Sequence, residues 1–263
     1  MKSEVKDFLI SSAERHENES FLNDDPSQFM HKANGGRNRE AVAFVAAGLS
    51  FGSRKQFLPK IAHIIEIAGG DVDGWIRNGR FADSFPADSK KPFYRFFSEG
   101  TMNAFFSAYC DILNRCGSLG ECIKNSGISE GRTAVEKIVE LFSHCSGEFS
   151  VVPKNPRSAC KRVCMFLRWM VRDGSCVDLG LWSSFISKAT LIIPLDTHVL
   201  SEAKKLGLIN SKVASMTTAV KLTEKLKIVF PSDPLKADFA LFGNGVTDCG
   251  PPPVCQIEKT LCR

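Results

Sequence analysis

The chain has 263 residues, of which 43% are hydrophobic and 24% charged, and its net charge is +5. This composition excludes a largely disordered polypeptide and supplies enough apolar residues for a full core. The modest basic excess permits a polyanionic partner without requiring one.

Helical periodicity dominates the first half of the chain. It predicts helices near residues 5–9, 42–49, 57–68 and 102–113, and a brief turn at 75–76. Gly100 is expected to break the pattern before a helix capped by Thr101, and Thr133 with Glu136 predicts a capping box. No stretch alternates convincingly at period two, so we predict an all-α protein.

Targeting and redox signals point to one compartment. The N-terminus carries no apolar export signal, and no window approaches the length of a membrane span. Ten cysteines spread through helical patterns are therefore interpreted mainly as reduced thiols. We expect a cytoplasmic protein that does not bind a membrane.

Residues 152–172 combine a polar loop with a basic helix. The stripe expected to face the core is formed by Val163, Phe166, Leu167 and Met170. Another face carries Lys161, Met165, Arg168 and Arg172. A lysine in the first turn opposes the helix dipole, unless a phosphate meets the free N–H groups there. A solvated basic face is the alternative.

Residues 191–208 place Asp196 at the start of a helix that Gly207 ends. An aspartate in this position caps the helix by accepting hydrogen bonds from its first N–H groups. If the carboxylate also faces a cleft, it can stabilise a developing cation. Both interpretations of Asp196 stay open.

Together these segments resemble the helix-hairpin-helix/GPD superfamily of DNA glycosylases. The shared features are a lysine that opens a helix after a hairpin loop and, further on, the segment Pro194-Leu195-Asp196-Thr197-His198-Val199. In endonuclease III and its relatives the corresponding aspartate is the catalytic carboxylate, and the lysine is the nucleophile of the bifunctional members. The resemblance therefore implies catalytic roles for Asp196 and Lys161.

A closer resemblance, to the bacterial DUF2400 family, covers most of the chain. It includes Asp25-Pro26, residues 40–55, Ser158-Ala-Cys-Lys-Arg162 and Asp233-Pro-Leu-Lys-Ala-Asp238. It implies a single bilobal, all-helical, DNA-glycosylase-like domain over residues 1–263. The helix-hairpin-helix element and the catalytic module are expected at about residues 148–210.

The chain departs from the superfamily pattern in three ways. Residues 152–160 contain no glycine where the hairpin signature has two, so phosphate capture is expected from the amides of Ser158, Cys160 or Lys161. Lys161 and Asp196 lie 35 residues apart, a separation more like that of the archaeal 8-oxoguanine DNA glycosylases. The cysteines of the C-terminal tail lack the Cys-x2-Cys pair of the endonuclease III cluster; these are Cys249, Cys255 and Cys262. No iron–sulfur cluster or other cofactor is therefore expected, with a structural zinc as the alternative.

The expected function is base-excision repair by a monomeric DNA glycosylase with AP-lyase activity, a hydrolase of the nucleoid-associated cytoplasm. Its partner is double-stranded DNA with a damaged base, and 8-oxoguanine is the first substrate to test. DNA contacts are assigned to Arg157, Ser158, Cys160, Arg162, Arg168 and Arg172, and the base pocket to Trp169 and Trp182.

Each of these assignments has a simpler alternative. In the alternative interpretation Arg168 and Arg172 pair with Asp173 or Asp178, and the tryptophans lie in the core, where a tryptophan at helical spacing is more often found. Lys161 contacts a phosphate without attacking the sugar. The chain as a whole is then a DNA-binding module that kept the fold but not the chemistry.

Overall fold

The computed structural model describes residues 1–145 and 149–246. Within these ranges no helix is long and apolar enough to cross a membrane. No group of histidine, cysteine and carboxylate side chains in the same ranges is arranged to hold a metal ion. Cys249, Cys255 and Cys262, on which the cluster and zinc interpretations depend, lie outside the described residues.

The described part of the chain is mostly helical, which is consistent with the predicted all-α class. Its α-helices are α1 (Ser3–His16), α2 (Gln28–Lys32), α3 (Gly36–Leu49), α4 (Arg54–Ile67), α5 (Val72–Arg77), α6 (Phe81–Ser84), α7 (Glu99–Cys116), α8 (Leu119–Asn125), α9 (Gly131–Leu141), α10 (Lys161–Val171), α11 (Thr197–Lys205), α12 (Met216–Leu226) and α13 (Lys236–Val246). Short 3-10 helices cover Glu19–Asp24 and Lys188–Thr190. Strands β1 (Pro92–Tyr94) and β2 (Phe97–Ser98) pair antiparallel.

Helix α3 lies at the centre of the molecule. Its residues 40–49 are all buried, as expected for a helix that is apolar on every side. Helix α10 packs on α3, and α9 packs on α10. Helix α1 packs along α13, which also contacts α11. The buried apolar side chains form one continuous cluster from Val5 to Leu241, and the division into two lobes stays a prediction.

Two predicted helix starts are wrong. Ser98, not Thr101, caps α7, and Gly100 lies inside its first turn. A Cβ at Gly100 would come within 2.6 Å of the Ala87 carbonyl oxygen, so this glycine permits close packing and breaks nothing. Thr133 and Glu136 form no capping box, because α9 already begins at Gly131.

Candidate active site

Lys161 stands at the start of α10, on the helix face that borders a cavity. Cys160 adopts a left-handed conformation (φ 45°, ψ 35°), which turns the chain into the helix. No side chain caps this end of α10. Its first N–H groups, which lie at the positive end of the helix dipole, are therefore available to an anion. Met165 and Arg168, one and two turns further on, line the same cavity. The first two turns of this face therefore border the cavity, and the interpretation of a solvated basic face is wrong because Arg168 and Arg172 are buried.

Asp196 is the N-cap of α11 and also faces Lys161. Its Oδ1 accepts a hydrogen bond from the Val199 amide at 2.8 Å, which confirms the predicted cap. Its Oδ2 lies 3.1 Å from Lys161 Nζ. The two side chains are 29% and 25% exposed, so a ligand in the cavity can reach both. The structure thus brings Lys161 and Asp196 together, and their catalytic roles stay predictions.

The cavity beside this ion pair has a volume of about 450 Å³, within the ~300–1,000 Å³ typical of small-molecule sites. Most of its wall is apolar or aromatic, and the side chains that contribute are Phe21, Pro26, Phe51, Phe57, Met165, Pro194, Val199 and Phe242. Charged groups enter this wall at a few points only; they are Asp25, Arg54, Lys161, Arg168, Asp196 and Asp238. Such a site suits a flat apolar ligand with a few polar edges.

Asp25 was assigned no functional role from the sequence. It is only 7% exposed, and its Oδ1 accepts hydrogen bonds from the Ser27 amide at 3.0 Å and the Ser27 hydroxyl at 2.6 Å. These bonds hold the carboxylate in place at the cavity wall. The available signal was the Asp25-Pro26 pair within the segment that carries the family resemblance, but nothing in it shows which cavity the carboxylate faces.

Arg168 and Arg172, predicted to contact DNA, are instead buried ion-pair partners. They are 4% and 2% exposed. Arg168 bonds Asp178 at 3.2 Å and Asp238 at 2.5 Å, and Arg172 bonds Asp178 and, at 2.8 Å, Asp233. Guanidinium groups enclosed by carboxylates are not available to a phosphate. The alternative of pairing with Asp178 is therefore the correct one.

Arg168 borders the cavity but is held in place by its carboxylate partners. Burial raises the pKa of Asp238, and the Arg168 guanidinium works against that shift. Asp238 also interacts electrostatically with Asp196 and Lys161. The buried ion pairs of Arg168 are therefore coupled to the charged end of the cavity. Asp238 in turn accepts a hydrogen bond from Arg168, so its role in the wall is a structural one.

Arg162 also points away from the predicted DNA surface. Its guanidinium donates to the Gly48 carbonyl oxygen and lies over the rings of Phe51 and Phe97, 5.0 and 5.8 Å from their centroids. Burial lowers the pKa of Arg162 to about 10. The assignment of Arg162 to phosphate contact is therefore wrong, because the Gly48 carbonyl oxygen and the two phenyl rings already hold its partly buried side chain.

The loop before α10 is shaped without glycine. The Asn155 side-chain oxygen accepts the Arg157 amide at 2.9 Å, and the Asn155 carbonyl oxygen accepts the Ser158 amide at 3.1 Å. Ser158 is therefore not a free amide donor for a phosphate, which corrects that part of the prediction. The Cys160 side chain is buried, whereas Arg157 is exposed and remains the candidate phosphate ligand of the loop.

The predicted base-stacking tryptophans are core residues. Trp169 is fully buried and Trp182 is 2% exposed. The indole of Trp182 donates to Glu40 Oε2 at 2.9 Å and meets the Phe166 ring edge-on. Neither tryptophan lines the cavity, so the stacking assignment is wrong and the core interpretation is right.

A family model described as a protein of unknown function (DUF2400) matches residues 25–247. The matched range contains Asp25, Lys161, Asp196 and Asp238, and thus most of the cavity wall. Comparisons with curated proteins and with solved structures found no match.

Proposed function

The chain belongs to the DUF2400 family, and we propose that it is a DNA glycosylase of base-excision repair with AP-lyase activity. One observation carries the proposal. An amine and a carboxylate, Lys161 and Asp196, meet at 3.1 Å beside a mainly apolar cavity from which both remain accessible. An activated lysine beside a general base is the arrangement that covalent catalysis at an electrophilic carbon requires.

The proposed reaction begins when a damaged nucleotide turns out of the duplex into the cavity. Asp196 Oδ2 accepts a proton from the Lys161 ammonium, which leaves a neutral amine. The amine nitrogen forms a bond to C1′ of the sugar. The glycosidic C1′–N bond breaks, and its electron pair leaves with the base, which is then protonated. While the bond breaks, Asp196 is the nearest anion to the cationic sugar.

The covalent amine then permits strand cleavage. The C1′ amine first loses a proton. Its nitrogen lone pair then forms the C1′=N bond while the C1′–O4′ bond breaks, and O4′ takes the electron pair and a proton to become a hydroxyl, which opens the sugar ring and leaves a protonated imine between Lys161 and C1′. The imine acidifies the C2′ proton; its removal expels the 3′ phosphate by β-elimination. Hydrolysis of the imine returns Lys161 as a free amine. No step requires an oxidant, a reductant or a cofactor.

The wall of the cavity favours a base that offers N–H donors. Its aromatic rings supply stacking surfaces, and the Asp25 carboxylate, held by Ser27, supplies an acceptor. An oxidised guanine such as 8-oxoguanine presents N–H groups on both its Watson–Crick edge and its imidazole ring. Thymine and uracil offer only one N–H on their pairing edge, flanked by two carbonyl oxygens that a carboxylate repels, whereas guanine offers two adjacent N–H donors there. We therefore keep 8-oxoguanine as the first substrate to test.

Duplex DNA is proposed to approach along the N-terminal end of α10. The uncapped N–H groups there and the exposed Arg157 suit a phosphate, which would hold the sugar close to Lys161. Action as a monomer in the nucleoid-associated cytoplasm belongs to the same proposal.

The second candidate function is a DNA-binding module without catalysis. It is favoured by the loop at residues 152–160, which lacks glycine and uses the Ser158 amide internally. Phosphate binding there has fewer amides than in a glycine-rich hairpin. This candidate requires no role for the contact between Lys161 and Asp196.

Borohydride trapping separates the two functions. The protein is mixed with duplexes that contain 8-oxoguanine, an abasic site, uracil or only normal bases, and the imine is reduced to a stable adduct. We expect an adduct with the first two duplexes, lost in Lys161→Ala and kept in Lys204→Ala, a control at the opposite end of α11 from Asp196. Binding without any adduct or cleavage would support the module, and no binding would overturn both candidates.

A further inference from the structure

Two phenylalanines lie exposed next to each other on the surface. Phe96 is 47% and Phe149 is 41% exposed, and their ring centroids are 4.8 Å apart. Single apolar side chains on a surface need no explanation, but a contiguous aromatic patch indicates a contact surface.

The turn between β1 and β2 presents Phe96 in a constrained way. Arg95 has a φ of 52°, a conformation that is rare for residues other than glycine. Its guanidinium lies 5.6 Å from the centre of the Phe51 ring, and the Tyr94 hydroxyl donates to the Phe51 carbonyl oxygen. The neighbouring Gly52 has a φ of 82°, a conformation that favours glycine, and a Cβ there would come within 3.0 Å of the Tyr94 hydroxyl. A strained residue held by several contacts is more often found at functional sites.

The aromatic pair is continuous with the cavity. The Phe96 ring stacks on Phe51 at 5.1 Å and 28°, and Phe51 and Gly52 line the cavity that holds Lys161. The rings of Phe149, Phe96 and Phe51 therefore form a row that leads from the surface to the edge of the cavity. Arg95 places a cation beside this row, which suits a polyanionic partner.

We propose that Phe96 and Phe149 form a stacking platform for the DNA base that loses its partner when the damaged nucleotide enters the cavity. This inference rests on the proposed function, because it requires a flipped nucleotide. Removing one base from a duplex exposes the faces of its partner and of the neighbouring pairs. Aromatic side chains stack on any base, because every base has a π-face.

Fluorescence tests the platform directly. Duplexes carry 2-aminopurine opposite an abasic site, and its emission and the Kd are measured with wild type, Phe96→Ala, Phe149→Ala and Phe96→Trp. Ile228→Ala removes an apolar side chain that is even more exposed, at 56%, and does not line the cavity, and it serves as the control. We expect about tenfold weaker duplex binding and a smaller emission change for the two alanine variants, with Phe96→Trp and the control close to wild type.

Cleavage of a single-stranded abasic substrate provides the second readout, because a single strand has no unpaired partner base to stack. We expect Phe96→Ala to cleave it at the wild-type rate. Unchanged duplex binding and emission in both alanine variants would overturn the platform. Loss of self-association with unchanged DNA binding would overturn it too, since the patch would then contact a second copy of the chain.

The failures of the two proposals are distinguishable. If wild type forms the Lys161 adduct and both Phe96→Ala and Phe149→Ala behave like wild type on the duplex, only the platform is wrong. If no variant cleaves or forms an adduct, but the 2-aminopurine response still depends on Phe96, the platform stands and the glycosylase activity is wrong.

Discussion

Asp196 has two roles in the structure that one pair of substitutions can separate. Its Oδ1 caps α11 through the Val199 amide, and its Oδ2 contacts Lys161 Nζ. Asp196→Asn keeps an oxygen for the cap but removes the negative charge, so its Nδ2 faces Lys161. Asp196→Ala removes both interactions. The pair therefore distinguishes a helix cap from a catalytic carboxylate.

The expected stability losses follow from the exposure of the pair. An ion pair whose members are 29% and 25% exposed contributes at most about 1 kcal/mol, and loss of an aspartate cap costs about 1 kcal/mol. We therefore expect Asp196→Asn to lower the free energy of unfolding by less than ~1 kcal/mol, and Asp196→Ala by ~1–2 kcal/mol. Urea unfolding followed by circular dichroism measures both values.

The expected activity losses do not follow the same order. If Asp196 accepts the Lys161 proton and opposes the cationic sugar, both variants should lose about 10²–10⁴-fold in the rate of adduct formation. The rates are measured in single-turnover trapping experiments under conditions in which both variants remain folded. A rate for Asp196→Asn within about twofold of wild type, together with the expected instability of Asp196→Ala, would show that Asp196 is only a cap.

Three further predictions concern residues away from the reacting atoms. Burial raises the pKa of Glu40 to about 7, so between pH 4.5 and 7 the unfolded state releases this proton and the folded state keeps it. The free energy of unfolding should therefore fall by roughly 3 kcal/mol as the pH rises through this window. Urea midpoints measured from pH 4 to 8 should change less with pH in Glu40→Gln than in the wild type. Arg168→Met leaves Asp178 and Asp238 buried without their shared cation, and a loss of ~3–5 kcal/mol in the free energy of unfolding is expected in the same assay. An unchanged midpoint would contradict the buried network. Arg157→Ala should leave stability unchanged but reduce the slope of log Kd against log salt by about one for duplex DNA, and an unchanged slope would exclude a phosphate contact there.

Local features of the fold could be predicted from the sequence. The spacing of Val163, Phe166, Leu167 and Met170 marks the buried face of α10, because helix geometry repeats every 3.6 residues. The cap at Asp196 was predictable for a similar reason, since a cap bonds an amide only three residues away. The errors at Thr101 and Thr133 are also local, because Ser98 caps α7 three residues earlier and α9 begins at Gly131 without any side-chain cap.

The burial and the ion-pair partners of the basic side chains could not be predicted in the same way. Lys161 and Arg168 lie on one face of α10, yet Lys161 reaches solvent while Arg168 is enclosed by carboxylates 10 and 70 residues further along the chain. Periodicity shows which residues share a face, but not what another helix places against that face. The same limit explains the DNA contacts wrongly assigned to Arg162 and Arg172.

The sequence by itself determined that the protein is mostly helical, the buried stripe of α10, the cap at Asp196 and membership of a family. Only the tertiary structure decided that Lys161 and Asp196 touch, that Asp25 and Phe242 from opposite ends of the chain border the same cavity, and that the tryptophans lie in the core. The physical reason is the separation along the chain between the residues that interact. Capping and helix periodicity act over a few residues, whereas the cavity wall is assembled from side chains that meet only after α4, α10, α11 and α13 have packed.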